Sequence, residues 1–204
     1  HTLMAARARV LMDPGADGQR RQQQRAASTL APGAPSVPLA ERLGALYAGA
    51  LATLLLGDEA GAEATVAKAL KLLAEAPAPA AAPVFQQLRA QIALQRGDAP
   101  SAWKLLEALP ESRWTLLLRG QVALALGPES TAMRASNEAL HAWVAGHSSD
   151  ALAWGLLGQT EQALGQPLRA LRAQAEAHAA LGDIGGAVDR LRAAQTLARG
   201  GTAN

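Results

Sequence analysis

The stretch ALAWGLLGQTEQALGQPLRALRAQAEAHAALG, residues 151–182, decides the fold. Its apolar residues recur at helical rather than alternating spacing, and Gly165-Gln166-Pro167 interrupts the run. A glycine at such a break allows the left-handed backbone that ends one helix and turns the chain into the next. Small residues stand at fixed distances from it: Gly158 seven before, Ala170 five after and Ala177 twelve after. Side chains of that size let the two helices of a hairpin cross closely, so the stretch predicts a pair of packed antiparallel helices.

The same skeleton recurs along the chain. Aligned on Gly57, Gly97, Gly127, Gly165 and Gly182, the position five after is always Ala (Ala62, Ala102, Ala132, Ala170, Ala187). The position seven before is always small (Ala50, Ala90, Gly120, Gly158, Ala175). Successive spacings are about 40, 30 and 38 residues, near the 34 of tetratricopeptide (TPR) repeats, and a last step of about 17 corresponds to half a repeat. Within 151–182, Trp154, Leu157, Gly158, Gly165, Ala170 and Ala177 fall on the TPR positions, while Glu161 and Gln174 stand where aromatics are usual. The expectation is an all-α, TPR-like array of antiparallel helix hairpins, an α-solenoid of about ten helices.

Composition agrees. Ala and Leu make up about two fifths of the 204 residues and head the helix-propensity scale. Aromatics are 3% of the chain, and strand-favouring residues are scarce, which argues against a sandwich, a barrel or a parallel-sheet core. The net charge of +2 lacks the concentrated basic stripe of a DNA binder. Cysteine is absent, which removes disulfides, thiol chemistry and Cys-based zinc sites. The longest uncharged stretch, 43–57, is about 15 residues long and rich in Gly and Ala, too short for a membrane span. A first helix is expected near Thr2–Met12 and a polar one around Asp17–Leu30. The Pro-rich segment 32–38 is read as a linker between a helical segment, 1–31, and a repeat domain, 39–204.

No chemistry-bearing motif emerges. His141 and His147 are six apart without an intervening Glu, and neither HExxH, GxSxG, a P-loop nor a strand-borne GxGxxG occurs. Catalytic and metal-binding residues are therefore not assigned within the chain. Arg20, Arg21 and Arg25, interleaved with glutamines, form a basic polar face, but no aromatic stands near for base stacking. A solvated helix surface is the better reading, and neither nucleic-acid binding nor membrane insertion is expected.

A peptide groove remains. In stacked helix pairs the first helix of each pair lines the concave surface. Groove positions by register include Tyr47, Gln87, Gln91, Gln121, Gln159 and Arg172. Gln91, Gln121 and Gln159 share one register and would offer a ladder of amide donors and acceptors to an extended protein or peptide ligand. The same glutamines also read as exposed helix formers.

The segments Ala153-Trp154-Gly155-Leu156-Leu157, Gly165–Ala170, Ala175-Glu176-Ala177 and Gly182-Asp183 through Leu191 resemble the TPR tail of bacterial β-barrel assembly-enhancing (BepA-like) zinc metallopeptidases. The opening His1-Thr2-Leu3-Met4-Ala5-Ala6-Arg7 is similar to the segment closing their protease domain, with Thr2 where Pro is common. The resemblance implies a periplasmic domain that recruits substrates or partners, including outer-membrane assembly machinery. It also implies that the HExxH domain, with its zinc, lies upstream of this chain. The alternative is a stand-alone TPR scaffold with no link to proteolysis.

Overall fold

The computed structural model describes residues 1–31, 37–75 and 79–201. Most of the expected linker (32–36) and residues 76–78 lie outside them. Among the described residues the chain is all-α, with eleven helices, one short 3-10 turn at Pro79–Ala81 and no strand. The contacts divide it into two compact units, His1–Leu109 and Pro110–Asn204. No described helix is long and apolar enough to cross a membrane.

The first unit holds α1 (Thr2–Leu11), α2 (Ala16–Leu30), α3 (Leu39–Leu55), α4 (Glu59–Ala74), α5 (Ala82–Gln95) and α6 (Ala99–Glu107). Its centre is α3, which contains most of the uncharged run 43–57. That helix is apolar nearly all round because α1, α2 and α4 all pack against it. Leu51, Leu54, Phe85, Leu88 and Ile92 fill the core, with Tyr47 edge-on to Phe85 at 5.8 Å between ring centres. The polar helix α2 docks on α3 with part of its glutamine face. Gln19 and Gln22 are buried, the Gln19 amide donates to the carbonyls of Val10 and Asp13, and Gln23 donates to the Thr53 hydroxyl. Its arginines stay outside, Arg20 paired with Asp17 and Arg21 with Asp13.

The second unit holds α7 (Arg113–Leu126), α8 (Thr131–Gly146), α9 (Ala151–Ala163), α10 (Pro167–Ala180) and α11 (Ile184–Gly201). Each helix packs on the next, and α7 also packs on α9. The core is aliphatic, built on Leu117, Leu140, Val144, Leu156 and Leu157.

All five aligned glycines have positive φ, between 71° and 91°. At Gly57, Gly97, Gly165 and Gly182 the exit is a Schellman motif. For example, the Gly165 amide donates to the Gln162 carbonyl and the Gln166 amide to the Glu161 carbonyl. Gly127 departs, with ψ at 166°. The following Pro128 has no N–H for the longer bond and pushes its predecessor to extended ψ, so a residue with positive φ here must take a conformation only glycine holds comfortably. After three of the glycines comes an Asp that caps the next helix: Asp58 accepts from Gly61, Asp98 from Ser101 and Asp183 from Gly186. The Gly-Asp pair thus ends one helix and starts another within two residues.

The small residues sit where the register places them. Ala50, Ala62, Ala90, Ala102 and Ala170 are fully buried, and Gly120, Gly158, Ala132, Ala175 and Ala187 are also buried. At Gly158, an added Cβ would lie 3.1 Å from Gln174 Cγ and 3.3 Å from the carbonyl oxygen of Ala170. Gln174, where an aromatic is usual in a TPR, lays its aliphatic stem over this glycine. Gly155, one turn away, has open space around its Cα. Gly158→Val should therefore destabilise the protein by about 1–3 kcal/mol through overpacking. Gly155→Ala should stabilise it by about 0.5–1 kcal/mol through helix propensity. Urea unfolding of both variants checks the pair, and equal effects would refute the close crossing.

Candidate binding surface

Helix α7 meets α9 at Gly120, where a Cβ would stand 2.5 Å from Leu156 Cδ2. Gln121 follows Gly120, and Gln159 lies three residues beyond Leu156. A helix turns about 100° per residue, so a residue next to a buried crossing point swings toward the surface. Both glutamines are exposed. The structure therefore brings these two expected groove residues onto neighbouring helices of one unit, beside the contact that joins the helices.

The other groove residues are placed differently. Tyr47 is 2% exposed, and its hydroxyl accepts a 3.0 Å hydrogen bond from Arg7. It ties α1 to α3 in the core and presents no surface to a ligand. The register treats α3 as a helix with one open face, and the docking of α1 and α2 closes that face. Gln87 and Gln91 lie half-buried on α5 in the first unit. Arg172 is exposed but sits on α10, because the last glycine step is half a repeat and moves the register to the other helix of the hairpin.

Under the surface, α8 and α9 are pinned by polar side chains. Asn137 donates to the Thr160 hydroxyl at 3.0 Å, both residues being buried. Glu161 is 1% exposed and pairs with the half-exposed His141 at 2.5 Å. The acid that replaces the usual TPR aromatic is thus a packing residue supplied with a partner from the preceding helix. The sequence signal for it was a carboxylate inside an apolar helical run.

The joint between α8 and α9 carries the densest polar network. Arg113 grips Asp150 with two bonds, 2.7 Å from Nε to Oδ2 and 2.8 Å from Nη2 to Oδ1. Trp143 Nε1 donates to Asp150 Oδ2, and the Ala153 amide donates to Oδ1, capping α9. Arg113 above all, helped by Trp143 and Ala153, holds the Asp150 carboxyl down at about 2 despite its burial. Trp143 stacks on His147 with ring centres 3.8 Å apart, and Trp154 donates to the Ser148 carbonyl. Because Arg113 begins α7 and Asp150 begins α9, this clasp fixes the ends of the two helices that carry Gln121 and Gln159.

Asp150, Arg113 and the two indole N–H groups are bonded to one another or to the α8–α9 joint, so the network serves to hold helices together. Among the described residues no group of three or more His, Asp or Glu side chains stands together as a metal site. No protein-family model matches the chain, and no curated protein matches it significantly.

The folded carboxyl of Asp150 lies below its unfolded value near 3.8, so its stabilisation is complete above about pH 4 and is lost as pH falls toward 2. That contribution amounts to about 2 kcal/mol. Asp150→Ala should destabilise the protein by about 3 kcal/mol at neutral pH, through the lost cap and the stranded Arg113. The gap between parent and variant should narrow between pH 4 and pH 2 in urea titrations. A gap independent of pH would refute the assignment.

Proposed function

We propose that this chain is a protein-binding array of TPR-like hairpins, with recognition on the exposed face of α7 and α9. The single observation that carries this reading is that Gln121 and Gln159 are both exposed on the neighbouring helices α7 and α9, next to the Gly120–Leu156 crossing. Each amide offers both donors and acceptors, which an extended polypeptide backbone can use whatever its side chains. The Asp150 clasp supports the reading because it holds the two helices in fixed relation, so the amides are in place before a ligand arrives.

The resemblance to BepA-like proteins extends the proposal. In that reading the chain recruits misassembled outer-membrane proteins, or the machinery that assembles them, to a periplasmic zinc metallopeptidase. Zinc and catalysis would belong to a protease segment other than the one described.

Two arms test the proposal. In the first, the purified chain is titrated with unfolded outer-membrane polypeptide. Replacing both Gln121 and Gln159 with Ala should weaken binding about 10-fold, since each net hydrogen bond contributes about 0.5–1.5 kcal/mol. Unchanged affinity would overturn the site. In the second, a photo-crosslinking residue at position 159 in periplasm should capture outer-membrane or assembly proteins, whereas one at position 135, exposed on α8, should not. Equal capture at both would overturn the recruiting role.

A further inference from the structure

A second surface lies in the first unit. Helix α3 forms the floor of a trough, and α2 and α4 form its walls, enclosing a cavity of about 640 Å³. The trough has three zones along its length. At one end are Gln23, Thr53 and Thr65, neutral hydrogen-bonding groups. In the middle the floor is Ala45, Leu46 and Gly49, with Ala26 on the wall; Gly49 approaches α2 so closely that a Cβ would lie 3.0 Å from Ala26 Cβ. At the far end Arg42 and Lys71 stand over the trough, with Lys68 one turn before Lys71.

Arg42, Lys68 and Lys71 are exposed, and none has an ion-pair partner among the described residues. One acid, Glu75, lines the trough against these three cations. The contrast with α2 is informative, because Arg20 and Arg21 on its outer side each have an aspartate. The three cations facing the trough thus outnumber its single acid and are not ion-paired, whereas Arg20 and Arg21 are each paired.

We propose that this trough binds an acidic polypeptide segment in extended conformation. From Arg42 to Thr53 the floor helix rises about 16 Å. An extended chain covers that distance in about five residues. Side-chain carboxylates of the segment sit at the Arg42, Lys68 and Lys71 end, small side chains lie over Ala45 and Gly49, and backbone groups meet Gln23 and Thr65. At the other end Gln23 already donates to Thr53 and Thr65 to the Gly61 carbonyl, and the polar capacity these two side chains have left favours a peptide over an acyl chain, which offers them no partner. This inference does not rest on the α7–α9 surface, and either can fail without the other.

The test uses the full chain and a labelled peptide of about twelve residues, capped at both ends, in which two adjacent glutamates follow a run of Ala, Gly and Thr. Fluorescence anisotropy should show binding that weakens at least about 10-fold between 0.05 and 0.5 M salt, as exposed charges are screened. The K68E/K71E variant should weaken it by a similar factor at low salt with the circular dichroism spectrum unchanged. Amide NMR signals of Gly49, Thr53 and Lys68 should shift on titration. Three results would overturn the proposal: equal binding by K68E/K71E, equal binding of a peptide with lysines in place of the glutamates, or binding of phosphatidylglycerol vesicles in preference to the peptide. Should K68E/K71E fail to fold, the NMR titration of the parent chain decides, and shifts confined to other surfaces count against the trough.

Discussion

The close approach of helix backbones at small residues is the constraint on which the rest of this structure depends. Gly158 lies against the carbonyl of Ala170, and Gly120 lies under Leu156. In a core of Ala and Leu, density comes from bringing helices together rather than from filling gaps with large side chains. That requires each hairpin to turn at a fixed place, or the small residues miss one another. The positive-φ glycines set the place, and the Asp or Ser caps that follow set the start of the next helix.

Once the crossings are fixed, exposure follows by helix geometry. A residue next to a crossing point turns about 100° away from it. Gln121 and Gln159 are exposed for that reason, and the surface they make is a by-product of the packing skeleton. The clasp on Asp150 secures the same helices from their ends, where Arg113 of α7 reaches the cap of α9. Packing at the middle and an ion pair at the ends hold α7 and α9 together, which suits the proposed surface.

Local rules were readable in the sequence, and long-range docking was not. The glycines, the buried Ala register, the first two helices and the breaks between elements all follow from propensity, periodicity and turn chemistry. Gln121 and Gln159 follow from the register as well. Tyr47 does not: its burial is decided by α1 and α2 folding back on α3, and no local signal says which helix a segment of polar residues will cover. The glutamines of α2 mark the same limit. Gln19 and Gln22 look like solvated residues of a polar helix, yet they are buried, and Gln19 satisfies carbonyls where α1 ends. Asp150 carries no local signal of its role, because its partners Arg113 and Trp143 come from two other helices.

The shortage of aromatics is accounted for by where the few present are used. Tyr47 and Phe85 meet in the first core, whereas Trp143 and Trp154 tie the α8–α9 joint through their indole N–H groups. Trp103 bonds to Glu107 on its own helix, and Trp114 is partly exposed with the Arg113 guanidinium 5.2 Å from its ring centre. The tryptophans therefore act as locks at edges, and none stands at the Gln121 and Gln159 positions. A face whose central groups are amides gains little from burying large side chains of a partner. Its affinity comes from hydrogen bonds of about 1 kcal/mol each, so several must form at once along an extended segment. On the proposed reading, such a surface would discriminate by backbone accessibility, favouring a chain whose amides are unpaired over one whose amides are already bonded in a folded sheet or helix.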